Sequence, residues 1–221
     1  MGRLLFSLLV LLTYFPLTAQ VDADKTLFSD AISKNIRKYR IASKNAYLDK
    51  DEERAQFLFD SLVDHVITGS YMDNFEVRKY SGRRIKLHGF EKPIFLITYA
   101  SWCVPGVGEI PALNELSALY HNQIDFVVLF WGSKKKVRKV KKQFGRYVNV
   151  LFVDEKDNRS DFAIRSMKHS LGFPTTFVVD GSKKILDVSH NYQHHYSTGF
   201  SQSFNDHYQS FMRGINQLKQ E

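Results

Sequence analysis

Cysteine is almost absent from this sequence. Cys103 is the single cysteine among 221 residues, so no intramolecular disulfide can form and stability must come from packing. The sequence also lacks internal repeats, low-complexity linkers, a phosphate-binding glycine loop and a serine-centred nucleophile motif. These absences exclude repeat architectures and disulfide-rich scaffolds. They direct the search for chemistry to the surroundings of Cys103.

Long hydrophobic runs are also scarce, and the one at the N-terminus is short. Arg3 supplies a positive charge, the apolar run LLFSLLVLLTYF follows it, and Pro16-Leu17-Thr18-Ala19 offers a small residue for cleavage. A membrane span needs about 20 apolar residues. We therefore predict a signal peptide over residues 1–20 and an exported protein, periplasmic or secreted, with no stable membrane span after cleavage. An uncleaved membrane anchor is the alternative.

The formal net charge of +8 would suggest a nucleic-acid partner if it were spread over the chain. It is concentrated instead in KKKVRKVKK, residues 134–142, which holds seven basic residues and leaves about +1 for the rest. We therefore expect no nucleic-acid partner. The run is either the solvated face of a helix or a surface for an anionic partner or membrane.

The hydrophobic content of 43%, with 18 Phe and 11 Tyr, is sufficient for a packed core. Residues 21–69 are predicted to form a helical N-terminal extension, because apolar residues recur there at spacings of three and four. Two short helices cannot bury their apolar stripes alone, so they must pack on the downstream domain or on a partner. The two stripes contain Phe28, Ile32, Ile36 and Tyr39, then Leu58, Leu62, Val63 and Val66.

Residues 70–221 alternate between strand and helix patterns. The patterns predict a hairpin formed by FEVRKY and RRIKLHGF. They then predict three buried strands separated by helices, at IFLITYA, IDFVVLFW and VNVLFVD. A second hairpin, formed by TTFVVD and KKILDVS, is predicted before a last helix. This order is typical of an α/β domain, a three-layer α/β/α sandwich with a mixed central sheet.

The segment SWCVPGVGEIPAL, residues 101–113, contains the only thiol. We expect a helix from about Pro105 to Tyr120, which places Cys103 at a helix N-terminus. There the helix dipole and the unpaired backbone amides favour the thiolate. Pro105 would lie in the first turn and Pro111 in the helix interior, where proline kinks a helix.

This segment resembles the thioredoxin superfamily, and more narrowly the exported TlpA/ResA-type thiol–disulfide oxidoreductases with their W-C-x-P-C-x-x-E-x-P motif. Gly106 stands where the second cysteine of that motif belongs. The resemblance implies a thioredoxin-like fold, a reactive Cys103, and a Glu109 that manages protons near the thiol. An exposed helix position is the plainer interpretation of Glu109. The matching residues are Trp102, Cys103, Pro105, Glu109 and Pro111.

A second segment, LGFPTTFVVDGSKKIL at residues 171–186, resembles the family's G-x-P-T-T-F strand. The resemblance implies that Pro174 is a cis-proline facing the cysteine. It also implies that the Phe173 backbone pairs with an extended substrate segment. With Trp102 and Pro105 from the first motif, Phe173, Pro174 and Thr175 form the expected substrate-binding set.

Four histidines, His190, His194, His195 and His207, lie in the polar aromatic stretch SHNYQHHYSTGFSQSFNDHY. Adjacent histidines cannot easily share one ion, and no second cysteine or tight carboxylate spacing accompanies them. We predict a surface loop rather than a metal site, and we expect no metal and no cofactor.

Gly106 removes the thiol that resolves a mixed disulfide, but attack and capture remain possible with an external thiol completing the cycle. The leading hypothesis is monothiol exchange through Cys103, with protein or small-molecule thiols and disulfides as partners. The alternative is a redox-inactive thioredoxin-fold module that binds partners without turnover.

Overall fold

The centre of the protein is a mixed β-sheet. Within residues 25–100, 102–153, 162–190 and 199–219, which this computed structural model describes, seven strands form one sheet in the order β2-β1-β5-β4-β3-β6-β7. The strands are β1 (Glu76–Lys79), β2 (Arg84–Lys86), β3 (Ile94–Ala100), β4 (Asp125–Trp131), β5 (Val148–Val153), β6 (Thr175–Val179) and β7 (Ile185–His190).

The three middle strands β3, β4 and β5 are parallel, whereas β1, β2, β6 and β7 join the sheet by antiparallel pairs. Parallel neighbours require crossover connections, and helices supply them here. Because helices then cover both faces, every residue of β3 is buried, which explains the continuous apolar run in its sequence.

Helices lie on both faces of the sheet. The helices are α1 (Phe28–Leu48), α2 (Glu52–Leu62), α3 (Glu109–Tyr120), α4 (Lys134–Lys141), α5 (Phe162–Ser170) and α6 (Phe200–Leu218). Alternate residues of β3 point to opposite faces: Leu96 joins the core beneath α1, α2 and α5, and Ile97 joins the core beneath α3, α4 and α6. The predicted three-layer α/β/α sandwich with a mixed sheet is confirmed.

The N-terminal helices pack on the same chain. Phe28 at the start of α1 is fully buried and meets Phe177 of β6 edge to face, with ring centroids 5.7 Å apart. The buried Asp73 carboxylate accepts hydrogen bonds from the Ser29 backbone N–H at 2.9 Å and the Ser29 hydroxyl at 2.6 Å. A carboxylate at a helix N-terminus also complements the helix dipole. The helical extension is therefore present and attached, while its boundary at residue 69 stays a prediction.

The predicted signal peptide over residues 1–20 lies outside the described residues. Within the described part of the chain, no helix combines the length and the apolar character needed to cross a membrane.

We expect Phe28→Ala to destabilise the fold by about 3–5 kcal/mol, because it removes a buried ring and leaves a cavity between α1 and the sheet. Urea unfolding monitored by circular dichroism measures the change. Phe57→Ala is the matched control, since that ring on α2 is 60% exposed. Equal stability of the two variants would show that α1 contributes nothing to the core.

Candidate active site

The two motifs meet at one edge of the sheet. Thr98 of β3 pairs with Thr175 of β6 in antiparallel register. The C-terminal end of β3 therefore lies beside the N-terminal end of β6. Cys103 follows β3 by three residues, and its backbone N–H donates to the Ala100 carbonyl oxygen at 3.0 Å. Pro174 directly precedes β6, so both segments leave the sheet at the same edge.

The loop after Cys103 is not helical. Residues 103–106 have no regular secondary structure, Val107 and Gly108 form a turn, and α3 begins only at Glu109. The prediction of a helix from Pro105 was wrong, because glycines at 106 and 108 weaken helix formation by about 1 kcal/mol each relative to alanine. Cys103 therefore does not lie at a helix N-terminus, and Pro105 lies in the loop.

Pro111 occupies the third position of α3 rather than the helix interior. In this first turn the missing proline N–H has no intrahelical partner to lose, so the reason for the predicted kink does not apply.

Gly108 fits this turn against the last helix. A Cβ atom at this position would lie 2.1 Å from the backbone nitrogen of Phe204, a distance that no side chain tolerates. The Gly108 N–H donates to the Ser203 hydroxyl at 3.1 Å. The first turn of α6 therefore supports the loop that carries Cys103.

Glu109 lies at the centre of a buried polar cluster. Its side chain is fully buried, which excludes the exposed helix position considered from the sequence. The Tyr99 hydroxyl donates to Oε1 at 2.5 Å, and the Gly106 N–H donates to Oε2 at 3.0 Å. His207 Nε2 of α6 lies 3.8 Å from Oε2. A carboxylate from α3 thus contacts β3, the loop and α6.

The electrostatics of the cluster oppose ionisation of the thiol. Burial raises the pKa of Cys103 above its ordinary value, the Glu109 carboxylate raises it further, and a backbone hydrogen bond with Ala100 acts in the opposite direction. Burial and the same carboxylate raise the pKa of Tyr99 well above its ordinary value. The prediction that the surroundings of Cys103 favour the thiolate was therefore wrong.

The Phe173–Pro174 peptide bond is cis, and His190 of β7 lies behind it. Its Nδ1 atom is 3.2 Å from the Pro174 carbonyl oxygen. Burial lowers the pKa of His190 to about 4, while this hydrogen bond acts in the opposite direction. At neutral pH the ring is therefore uncharged, and in the tautomer with a proton on Nδ1 it donates to Pro174.

The neighbours of Pro174 are partly covered. The Thr175 side chain is buried, and its hydroxyl donates to the Gly172 carbonyl oxygen at 2.9 Å, so it stabilises the turn from inside the protein. Phe173 is half-buried, with its ring 6.4 Å from that of Trp131. Phe173 and Pro174 are more accessible than Thr175.

An apolar rim surrounds the thiol. Trp102 is 75% exposed, which excludes a core role for this ring, and Val104 and Val107 are also largely exposed. Cys103 itself is half-buried and packs against the core beneath α3 and α6. Pro105 beside it is also half-buried. Clustered exposed apolar side chains are typical of surfaces that bind other polypeptides.

Two of the four histidines are not in a surface loop. His190 is the last residue of β7, and His207 is buried within α6, so the loop prediction was wrong for both. His207 could have been identified from the sequence, because it precedes Phe211 by four residues on the apolar stripe of the last helix. His194 and His195 lie outside the described residues.

No group of three or more His, Cys, Asp or Glu side chains is placed to hold a metal ion within the ranges that the structure describes. Tyr99, Gly108, His190 and His207 are the site residues that sequence reasoning missed.

The chain is similar in sequence to proteins that are named thioredoxin-like or thiol-disulfide oxidoreductase. The thioredoxin-like protein YneN of Bacillus subtilis is 26% identical over 124 residues, which covers 54% of this chain and 69% of YneN. The thiol-disulfide oxidoreductase ResA of Geobacillus thermodenitrificans is 28% identical over 127 residues, which covers 56% of this chain and 69% of ResA. No protein-family model matches the chain.

Solved structures of similar fold include a thiol:disulfide interchange protein DsbE, described as putative, from Chlorobium tepidum. Its TM-score is 0.47 at 21% identity, over 64% of this chain and 97% of that one. The thioredoxin domain of the thiol-disulfide oxidoreductase BVU-2223 from Bacteroides vulgatus has a TM-score of 0.49 at 19% identity, over 67% of this chain and 97% of that one.

We expect the rate of Cys103 alkylation by iodoacetamide to rise with pH and to reach half of its maximum at a higher pH than for free cysteine, because the thiol pKa is raised. Glu109→Gln removes a negative charge next to the thiol, so its inflection should move to lower pH without reaching that of free cysteine, since burial remains. Glu115→Gln, exposed on the same helix, is the control and should leave the inflection unchanged. A wild-type inflection at or below that of free cysteine would contradict the described surroundings of Cys103.

Proposed function

We propose that this chain, which belongs to the thioredoxin-like thiol–disulfide oxidoreductase family, acts after export as a monothiol exchange protein. The proposal depends on one observation: the half-buried Cys103 thiol lies near enough to the fully buried Glu109 carboxylate for its charge to raise the thiol pKa, at the sheet edge that also carries Pro174. The short apolar run at the N-terminus supports export.

The first step forms one sulfur–sulfur bond and breaks another. The Cys103 thiolate attacks a substrate disulfide RS–SR′, which gives the mixed disulfide Cys103–S–S–R and releases R′S⁻. The thiolate of an external thiol R″SH then attacks the R sulfur of the mixed disulfide. This second exchange regenerates Cys103 and releases R–S–S–R″. The chain supplies one thiol. The external thiol takes the role of the motif's second cysteine, whose position Gly106 occupies in this chain.

Glu109 is the residue that accepts the thiol proton in this proposal. The Tyr99 hydroxyl and the Gly106 N–H both donate to its carboxylate, and these two bonds fix the orientation of the carboxylate. His207, when protonated, balances the charge of that carboxylate from 3.8 Å away. These two hydrogen bonds favour the ionised carboxylate, which is the form that can accept a proton.

The raised pKa of Cys103 determines how long the mixed disulfide lasts. A thiol of high pKa is a poor leaving group, so an external thiol displaces Cys103 slowly. Without an internal resolving thiol, the complex persists until such a thiol arrives. The site is therefore suited to capturing partners rather than to rapid turnover.

The substrate contacts come from both sides of the thiol. Trp102 offers an exposed ring next to Cys103, and Pro105 lies in the same loop. Across the sheet edge, the backbone of Phe173 ahead of Pro174 can pair with an extended substrate segment in the manner of an added strand. Thr175 supports this segment through its bond to Gly172.

We expect the wild-type chain to form a mixed disulfide with oxidised glutathione (GSSG), with release of one reduced glutathione, at a pH where Cys103 ionises, and to retain it until a second thiol is added. Mass spectrometry of the intact protein measures the adduct. Cys103→Ser should form none, because the only thiol is gone. Absence of an adduct on the wild-type chain, above the inflection of its alkylation profile, would falsify the exchange function.

A second candidate function is a binding module without redox turnover. The observation that favours it is the exposed apolar rim of Trp102, Val104 and Val107 beside a thiol whose pKa is raised. Such a surface can hold a polypeptide by burial of apolar area alone.

We expect Gly106→Cys to gain insulin disulfide reduction, because it restores the second thiol three residues after Cys103 in an otherwise matching motif. Gly106→Ser is the control, since it adds a similar side chain without a thiol. If Gly106→Cys folds but reduces no insulin, the remaining site does not support exchange and the binding module is favoured.

A further inference from the structure

Two basic segments lie far apart in the sequence but are neighbours in the fold. Residues 78–86, the hairpin of β1 and β2, hold five basic residues and no acidic ones, and residues 134–142 hold seven and no acidic ones. Because the whole chain carries +8, the remainder carries a net charge of −4. The two stretches therefore hold 12 of the 31 Lys and Arg residues without any Asp or Glu, and they account for the net positive charge of the chain.

Tyr80 joins the two segments. Its ring contacts Lys134 Nζ, 5.2 Å from the ring centroid, and Lys141 Nζ, 5.1 Å away, so the turn of the hairpin contacts both ends of α4. The sheet order agrees with this contact, because β1 pairs with β5, the strand that follows α4. Residues 78–86 and 134–142 together form what we call the basic surface.

The basic surface is largely open to solvent. Val137 is the buried residue of α4, while its basic side chains are exposed. In the hairpin Arg83, Arg84 and Lys86 are exposed. Glu76 forms an ion pair with Arg84 at 3.1 Å, and it is an acidic residue that faces this surface. This ion pair neutralises one of the twelve basic residues.

We propose that the basic surface docks this protein on a membrane of anionic phospholipids. Protein–protein interfaces are depleted in lysine and enriched in exposed aromatic and apolar side chains. On this surface lysine predominates, and the large exposed apolar side chains of the described residues lie elsewhere, as at Trp102 and Phe200. A lipid surface requires no complementary shape, and basic residues near it contribute almost additively.

The physical character of the contact follows from the residues present. With no large exposed apolar side chain to insert, the described surface binds headgroups only, so docking is reversible and weakens as salt screens the charges. Because the two segments of the basic surface account for the net positive charge of the chain, this surface is the part that faces the lipid in the proposal. This inference does not depend on the chemistry of Cys103.

The experiment measures co-sedimentation of the full chain with vesicles of phosphatidylcholine alone, or with about 40% phosphatidylglycerol. The surface variant changes four exposed basic residues of the second segment that make no contact with Tyr80. The control variant changes an equal set of three lysines and one arginine on the exposed face of α1, so both variants have the same net charge. The surface variant is Lys135→Gln, Arg138→Gln, Lys139→Gln and Lys142→Gln; the control is Lys34→Gln, Arg37→Gln, Lys38→Gln and Lys44→Gln.

The wild type should bind anionic vesicles and release them as salt rises from about 0.05 M to about 0.5 M. The surface variant should lose roughly fivefold in affinity for each charge removed, while the control variant binds like the wild type. Since all three proteins share the same first 24 residues, their difference reports the basic surface. Equal losses in both variants, or undiminished binding to neutral vesicles, would overturn the proposal. So would binding to polyglutamate without binding to vesicles, which would identify an acidic polypeptide as the partner.

Discussion

The buried carboxylate of Glu109 is the constraint on which the site depends. It accepts hydrogen bonds from the Tyr99 hydroxyl and the Gly106 amide, and it lies next to His207, so one side chain connects β3, the Cys103 loop, α3 and α6. A buried charge is tolerated only when it is paired or hydrogen-bonded. The Cys103 loop and α6 both contribute contacts to that group, and its charge raises the pKa of the thiol beyond the effect of burial.

Two glycines determine the local structure of the segment in which the second cysteine of the motif is absent. Gly106 contributes its backbone amide to Glu109, and Gly108 allows the backbone of α6 to approach where any side chain would collide with Phe204. As a result the thiol lies in a loop, away from the positive end of the helix dipole. Burial then dominates the environment of Cys103, which favours the protonated thiol.

The molecule presents two surfaces of opposite character. An exposed apolar rim of Trp102, Val104 and Val107 surrounds the thiol, and a lysine-rich surface covers the hairpin of β1 and β2 with α4. The apolar rim is suited to polypeptides, whereas the basic surface is suited to anionic lipids. The two proposals thus assign a polypeptide partner and a membrane to different residues of the same protein.

The sequence alone determined the strands, the layer architecture and the two motifs, because hydrophobic periodicity and turn residues are local signals. The strands β3 and β6, for example, can each be identified from their own residues. It predicted Cys103, Glu109 and Pro174, but it placed the start of α3 four residues too early, since two glycines outweighed the proline signal. Only tertiary packing decided three contacts: His207 lies next to Glu109, His190 is hydrogen-bonded to the Pro174 carbonyl oxygen, and Tyr80 contacts lysines of α4. These contacts link residues far apart in the chain, and burial, not local pattern, sets the ionisation of the thiol.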